Sequence, residues 1–174
     1  MHNFYQLDIV DTDRLQIEVK EILGHWPPDG NTPRQTMLQG LIDQTDVYYG
    51  TGRLDTLKHS ETEFCHTLHS TPYINSLLKE FGMHRSRIMI MNRGVYSWHY
   101  DPSYRLHIPV LSNHSNNFMV IDDEVHRMPV GSIYFTNTTK MHTYVNTSDE
   151  TRVHIIGCVD KDDETINFIA SQNT

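Results

Sequence analysis

Apolar positions along the chain change their period near residue 87. Ahead of that point, Leu15, Val19, Ile22 and Leu23 recur at helical spacing behind the capping residues Asp11-Thr12-Asp13, and Gly24 follows as a terminator, so the pattern predicts a first helix. A second is predicted from about Thr71-Pro72, with Pro at an early helical position, through Ile74, Leu77, Leu78 and Phe81 to Gly82. Between them, His25-Trp26-Pro27-Pro28-Asp29-Gly30 is turn chemistry, and Val47-Tyr48-Tyr49-Gly50-Thr51-Gly52 reads as a short strand or a loop. From Arg87 onward come short β-type runs at 88–91, 95–101, 106–110, 118–121, 132–135, 141–145 and 153–159, separated by turn residues. The pattern is mainly β with N-terminal helices, and its strand spacing suggests a β-sandwich or barrel. We take 1–174 as one domain, with 1–86 a helical and irregular support, 87–160 the β core and 161–174 a C-terminal tail.

Composition narrows the possibilities. A chain of 174 residues that is 37% hydrophobic can bury one core, and its apolar runs are far too short to span a membrane. The amino terminus lacks a basic stretch followed by an apolar one, so the expectation is a soluble, cytoplasmic protein. Two cysteines close at most one disulfide, and Cys158, inside an apolar run, is expected as a reduced, buried thiol. An excess of 22 acidic over 14 basic residues, with no Lys/Arg run, speaks against a nucleic-acid partner. Twelve histidines are unusual, and metal binding is one reason to accumulate them.

If residues 95–101 form a strand, Ser97, His99 and Asp101 share one face and Tyr96, Trp98 and Tyr100 the other, as core packing. An imidazole and a carboxylate two residues apart need only one further histidine to build a 2-His-1-carboxylate face with open positions. His142 is the candidate, at the start of a later strand. If Arg152, ten positions on, begins the next antiparallel strand after the turn Asn146-Thr147-Ser148-Asp149, its guanidinium can sit deep beside the metal; without the histidine it reads as a surface arginine flanking a turn. A buried arginine needs a carboxylate, which a dicarboxylate cosubstrate chelating the metal at its other end supplies. Arg105 and His107 share a strand face close behind and suit a carboxylate of cosubstrate or substrate. His66 and His69 lack further ligands at metal spacing and are read as structural or solvated, and His154 as a hydrogen-bonded core histidine.

The text from Arg87 to Asp160 resembles the aspartyl/asparaginyl β-hydroxylase family of Fe(II)- and 2-oxoglutarate-dependent oxygenases, which includes cis-proline-hydroxylase-like members. The resemblance lies in His99-Tyr100-Asp101, Tyr104-Arg105-Leu106-His107-Ile108-Pro109, Gly131-Ser132-Ile133-Tyr134-Phe135-Thr136-Asn137, His142-Thr143-Tyr144-Val145-Asn146 and Arg152-Val153-His154. It implies a double-stranded β-helix of jelly-roll, cupin-like type, with His99, Asp101 and His142 as iron ligands. It further implies Arg152 as anchor of the distal carboxylate of 2-oxoglutarate, with Arg105 and His107 near its chelating end and O2 as co-reactant. Some animal members lack the metal carboxylate, whereas this sequence keeps Asp101.

The expected activity is therefore hydroxylation of an amino-acid-like substrate, either a free amino acid or an Asp, Asn or Pro side chain of a peptide or protein, with the small substrate favoured. Two other classes are open: a cupin-like metalloenzyme without 2-oxoglutarate, which leaves Arg105 and Arg152 without a purpose, and a non-catalytic jelly-roll binding module.

Overall fold

In the computed structural model, which describes residues 3–112, 115–160 and 171, both predicted helices form where their caps place them. Strand β1 (Phe4–Ile9) leads into α1 (Thr12–Leu23), whose Asp11 side chain accepts the Arg14 N–H at 3.1 Å and whose Gly24, at φ 79°, donates its N–H to the Lys20 carbonyl at 2.8 Å. Helix α2 (Pro72–Glu80) begins on α1: the Glu18 carboxylate accepts the Tyr73 and Ile74 N–H groups at 2.8 Å each. Between the helices lie the short strands β2 (Gln35–Met37), β3 (Gln39–Gly40) and β4 (His66–Thr67), and a single 3-10 turn at Glu61–Glu63.

The remaining strands are β5 (His84–Met91), β6 (Gly94–Val95), β7 (Tyr104–Leu111), β8 (Asn117–Ile121), β9 (Glu124–His126), β10 (Ser132–Thr136), β11 (His142–Asn146) and β12 (Arg152–Val159). They form an antiparallel sheet in the order β1-β10-β7-β12-β5-β2 and a smaller one in the order β6-β11-β8-β9. Two facing antiparallel sheets exchanged in this way are the double-stranded β-helix that the sequence implied. Two expectations need correction, and a third cannot be compared. The segment 1–86 is more than a support, since β1 and β2 are the two edges of the large sheet. Strands β11 and β12 do not pair, because the turn after Asn146 crosses from the small sheet to the large one. The tail 161–174 lies, Ser171 apart, outside the described residues.

The large sheet has two different faces. Leu106, Ile108, Val110, Ile133, Phe135, Val153, Ile155, Ile88 and Ile90 pack with Leu15 and Val19 of α1 and Ile74, Leu77 and Leu78 of α2. Leu15 and Val19 are fully buried there, each worth about 1.5–3 kcal/mol. Alternation sends the intervening residues to the inside, towards the small sheet. Among the described residues, the apolar cluster between the sheets has Met91, Met119, Ile121, Met128, Tyr134 and Tyr144 as its buried members, with Phe4 and Tyr96 partly buried against them, while Arg87, Arg105, His107, Arg152 and His154 take up much of the large sheet's inner face. Cys158 is buried on β12 and Cys65 is exposed, both unbonded to another cysteine. No described helix is long and apolar enough to cross a membrane.

Gly157 of β12 packs closely against Met83 and Ser86. A Cβ there falls 2.5 Å from the Met83 Cε and the Ser86 Oγ, and 3.1 Å from the Met83 Cβ. Gly157→Ala is expected to cost about 1–3 kcal/mol by overpacking, measured as a lower urea midpoint with unchanged slope.

Candidate metal centre and the polar interior

The segment 96–103 is not the strand expected from alternation. Val95 pairs with Val145 but His99 pairs with His142, so this side carries one residue more than β11, and regular pairing stops after β6 except for an isolated bridge at His99. That bridge is closed by N–H to carbonyl bonds in both directions between His99 and His142, at 3.1 and 2.9 Å. The irregularity also turns Trp98 and Tyr100 out, 52% and 71% exposed, so they are not the core packing that the strand reading assigned them. Asp101 is held by its own N–H on the Thr138 carbonyl at 2.8 Å.

His99, Asp101 and His142 nevertheless converge, with one ligand atom from each lying within 4.8 Å of the others. The His142 Nε2 is 3.8 Å from the Asp101 Oδ2, and the two imidazole centroids are 4.3 Å apart. The His99 Nδ1 lies 2.7 Å from the Ser97 carbonyl and the His142 Nδ1 2.9 Å from that of Lys140. A ring nitrogen facing a carbonyl carries a proton and donates it, which leaves the Nε2 of each ring as the atom that can ligate. Burial pushes the His142 pKa below the usual imidazole value despite its bond to Lys140, which favours the neutral, ligating form of that ring. Two imidazoles fixed through Nδ1 and one carboxylate fit a divalent first-row metal. His99 is exposed and His142 buried, so the cluster opens to solvent on the His99 side.

Behind Asp101 stands Glu61, which the sequence did not single out, reached through Arg105. The buried Arg105 places its Nη2 3.3 Å from the Asp101 Oδ1 and 3.0 Å from the Glu61 Oε1, while its Nη1 donates to Ser103. Arg105 therefore already bridges two carboxylates, and its Nε alone is without a hydrogen-bond partner. Glu61 also receives Arg85 at 2.9 Å and a hydrogen bond from the Ser103 hydroxyl. Arg85 reaches it from a bulge in β5, where its φ is 49° and where its guanidinium also donates to the Gly50 and Gly52 carbonyls. Burial alone raises the Glu61 pKa, but Arg105, hydrogen bonds from Ser103 and Cys158, and Arg85 outweigh it and hold the carboxyl at about 2.

A depressed carboxyl stabilises the fold fully above its unfolded pKa and loses that contribution as pH falls through the folded one. Glu61→Gln is therefore expected to be less stable than the wild type near neutrality, with the gap closing below about pH 4.5 and towards pH 2. Urea titrations of both proteins across that window check it, and a gap independent of pH contradicts it.

The other interior side chains carry unpaired polar atoms. Arg152 is 1% exposed, with its guanidinium 3.8 Å over the Tyr144 ring and its Nη2 2.6 Å from the His154 Nδ1. It forms no ion pair among the described residues. The His154 Nε2, both ring nitrogens of His107, the Tyr144 hydroxyl and the Arg152 Nε are buried without hydrogen-bond partners. Burial first and the Arg152 charge second push the His107 and His154 pKa values well below the ordinary value, so both rings are neutral. The result is a set of unpaired polar atoms around a guanidinium with no counter-ion among the described residues, the His154 ring being 5.8 Å from both the His107 and the Tyr144 rings, a chemistry that suits a carboxylate. Of the residues expected to be structural, His69 bonds the Met37 carbonyl at 2.9 Å and His66 is exposed.

No curated protein matches the sequence. Among solved structures, a Pseudomonas putida prolyl-4-hydroxylase is similar over 93% of this chain and 94% of its own, at 10% identity and a TM-score of 0.48. A viral collagen prolyl hydroxylase from Paramecium bursaria Chlorella virus-1, determined as its 2OG complex, is similar over 91% of this chain and 97% of its own, at 11% identity and 0.49. A cupin-2 domain protein from Shewanella frigidimarina is similar over 43% of this chain and 70% of its own, at 14% identity and 0.35. Residues 48–161, more than half of the chain and containing every residue of the cluster and of the polar interior described above, match the model of the aspartyl/asparaginyl beta-hydroxylase family, and the chain belongs to that family.

Proposed function

We propose that the protein is an Fe(II)- and 2-oxoglutarate-dependent dioxygenase that hydroxylates a small amino-acid-like substrate. The observation that carries this reading is the buried Arg152, which has no carboxylate partner among the described residues and lies over Tyr144, two residues along β11 from His142 of the His99, Asp101 and His142 cluster. Bound there, iron and 2-oxoglutarate supply oxidative decarboxylation to succinate and CO2 coupled to activation of O2. The chain's own work is positional. His99, Asp101 and His142 would hold the metal, three protein ligands being fewer than such an ion takes. Arg152 takes the distal carboxylate, with Tyr144 beneath the guanidinium fixing its plane. The neutral His107 and the Arg105 Nε offer donors to the chelating carboxylate, while the Glu61-Arg105 pair holds the Asp101 Oδ1 so that the Oδ2 faces His142.

The test is succinate formation by purified protein with Fe(II), 2-oxoglutarate and air, across a panel of free amino acids and short peptides. Turnover that is stimulated by a free amino acid and abolished by a chelator is the expected result. A folded, metal-loaded protein that neither binds 2-oxoglutarate nor forms succinate sinks the proposal. A cupin-like activity without cosubstrate is the less favoured reading, because it leaves Arg152 buried and uncompensated.

A further inference from the structure

One interior cation has no role in that scheme. Arg87 on β5 alternates with Ile88 and Ile90 of the helix-side core, so it shares the inner face with Met91, and it is 9% exposed. Its Nη1 donates to the Arg85 carbonyl at 3.3 Å, its Nε has no hydrogen-bond partner, and it forms no ion pair among the described residues. Met37 of β2, fully buried, lies opposite it on the edge side.

The register places it. Arg87 pairs with Ile156, Ile156 with His107 and His107 with Tyr134, so Arg87 lies in the same cross-sheet row as His107, two strands to the side. Arg152 pairs with Met91, four residues further along β5 and about 13 Å away along the strand. A cosubstrate running from the metal past His107 to Arg152 thus leaves Arg87 off its line.

Charge points the same way. Among the described residues, Arg85, Arg87, Arg105 and Arg152 are buried against two ion-paired carboxylates, Glu61 and Asp101. A divalent metal and a dianionic cosubstrate cancel one another, so the excess of positive charge stays as it was, and a buried, unpaired guanidinium is costly to keep.

Resting on the dioxygenase reading, we propose that Arg87 is a second anion site of the interior, which holds a free carboxylate of the molecule to be oxidised. The substrate is then a small carboxylic acid, such as a free amino acid. An internal residue of a folded protein has no free α-carboxylate, and its main chain does not reach a guanidinium this deep.

The test loads the protein with Co(II) and 2-oxoglutarate under argon, which prevents turnover. It is then titrated with acetate, the smallest suitable carboxylate, and with acetamide, its uncharged isostere. The readouts are the Co(II) d–d spectrum and the thermal midpoint. The wild type is expected to respond to acetate and not to acetamide. Arg87→Met should weaken acetate roughly tenfold or more while still responding to 2-oxoglutarate, and Arg87→Lys, which keeps charge but not the planar fork, should fall between. If the Met variant does not fold, the Lys variant alone decides, by a several-fold loss. Equal acetate affinity in variant and wild type, or no acetate response in the wild type, overturns the inference and leaves the dioxygenase reading standing. Weaker 2-oxoglutarate binding with acetate binding intact assigns Arg87 to the cosubstrate and also overturns it. A wild type blind to 2-oxoglutarate overturns both.

Discussion

Replacing His142 with alanine is expected to abolish tight metal binding and all metal-dependent turnover while leaving the fold in place. His142 opens β11, is 4% exposed and has its ring pinned by the Lys140 carbonyl, so no neighbour can swing in to replace its Nε2. Even outer partners of metal ligands are worth roughly 10- to 100-fold in affinity, and loss of one ligand of three should exceed that. Titration with Co(II), read through quenching of Trp98 beside His99, should show at least a roughly hundredfold weaker site. Comparing thermal midpoints in chelator separates loss of the metal from loss of the fold. His107→Ala is the control: His107 is equally buried but is not one of the three converging ligands, so it should keep the metal. Full affinity in His142→Ala would dismiss the assigned triad.

The helices were legible because their ends are written locally: Asp11 and Gly24 act on neighbours within a turn. The central strands were legible as apolar runs. The edges were not. In β1 only Leu7 is buried, and β2 has only three residues, so neither carries a pattern that sequence alone separates from a loop. The metal candidates were found although the reason first given for their convergence, a regular strand through residues 95–101, does not hold. An extra residue opposite β11 brings His99 to His142, and such irregularities have no signature in alternation. Glu61 and Arg87 were missed for another reason. A charged side chain reads as surface until its distant surroundings are known, and Glu61 meets Arg105 across 44 positions of sequence. Arg105 was read as a carboxylate reader for small molecules, yet the structure gives it Glu61 and Asp101 as partners.

Arg152 should show a divergence between function and stability that a structural arginine does not. Its guanidinium is buried over Tyr144 and against His154 without a counter-ion among the described residues, so its desolvation penalty is not offset by them. Arg152→Met, which fills similar volume without charge, is expected to leave the thermal midpoint of the metal-free, cosubstrate-free protein unchanged or raised. The same substitution should weaken 2-oxoglutarate by about 2–5 kcal/mol, the usual loss when one partner of a desolvated charge pair is removed. Arg152→Lys should raise the apparent KM for 2-oxoglutarate with Co(II) affinity nearly intact, because an ammonium cannot reproduce the planar two-point contact. The metal dependence, the 2-oxoglutarate titration and the melting curve are read on the same three proteins. A stabilised variant that has lost its cosubstrate and kept its metal identifies Arg152 as a ligand-binding charge. A destabilised variant with an unchanged 2-oxoglutarate requirement places the anchor elsewhere and makes the guanidinium over Tyr144 a packing element.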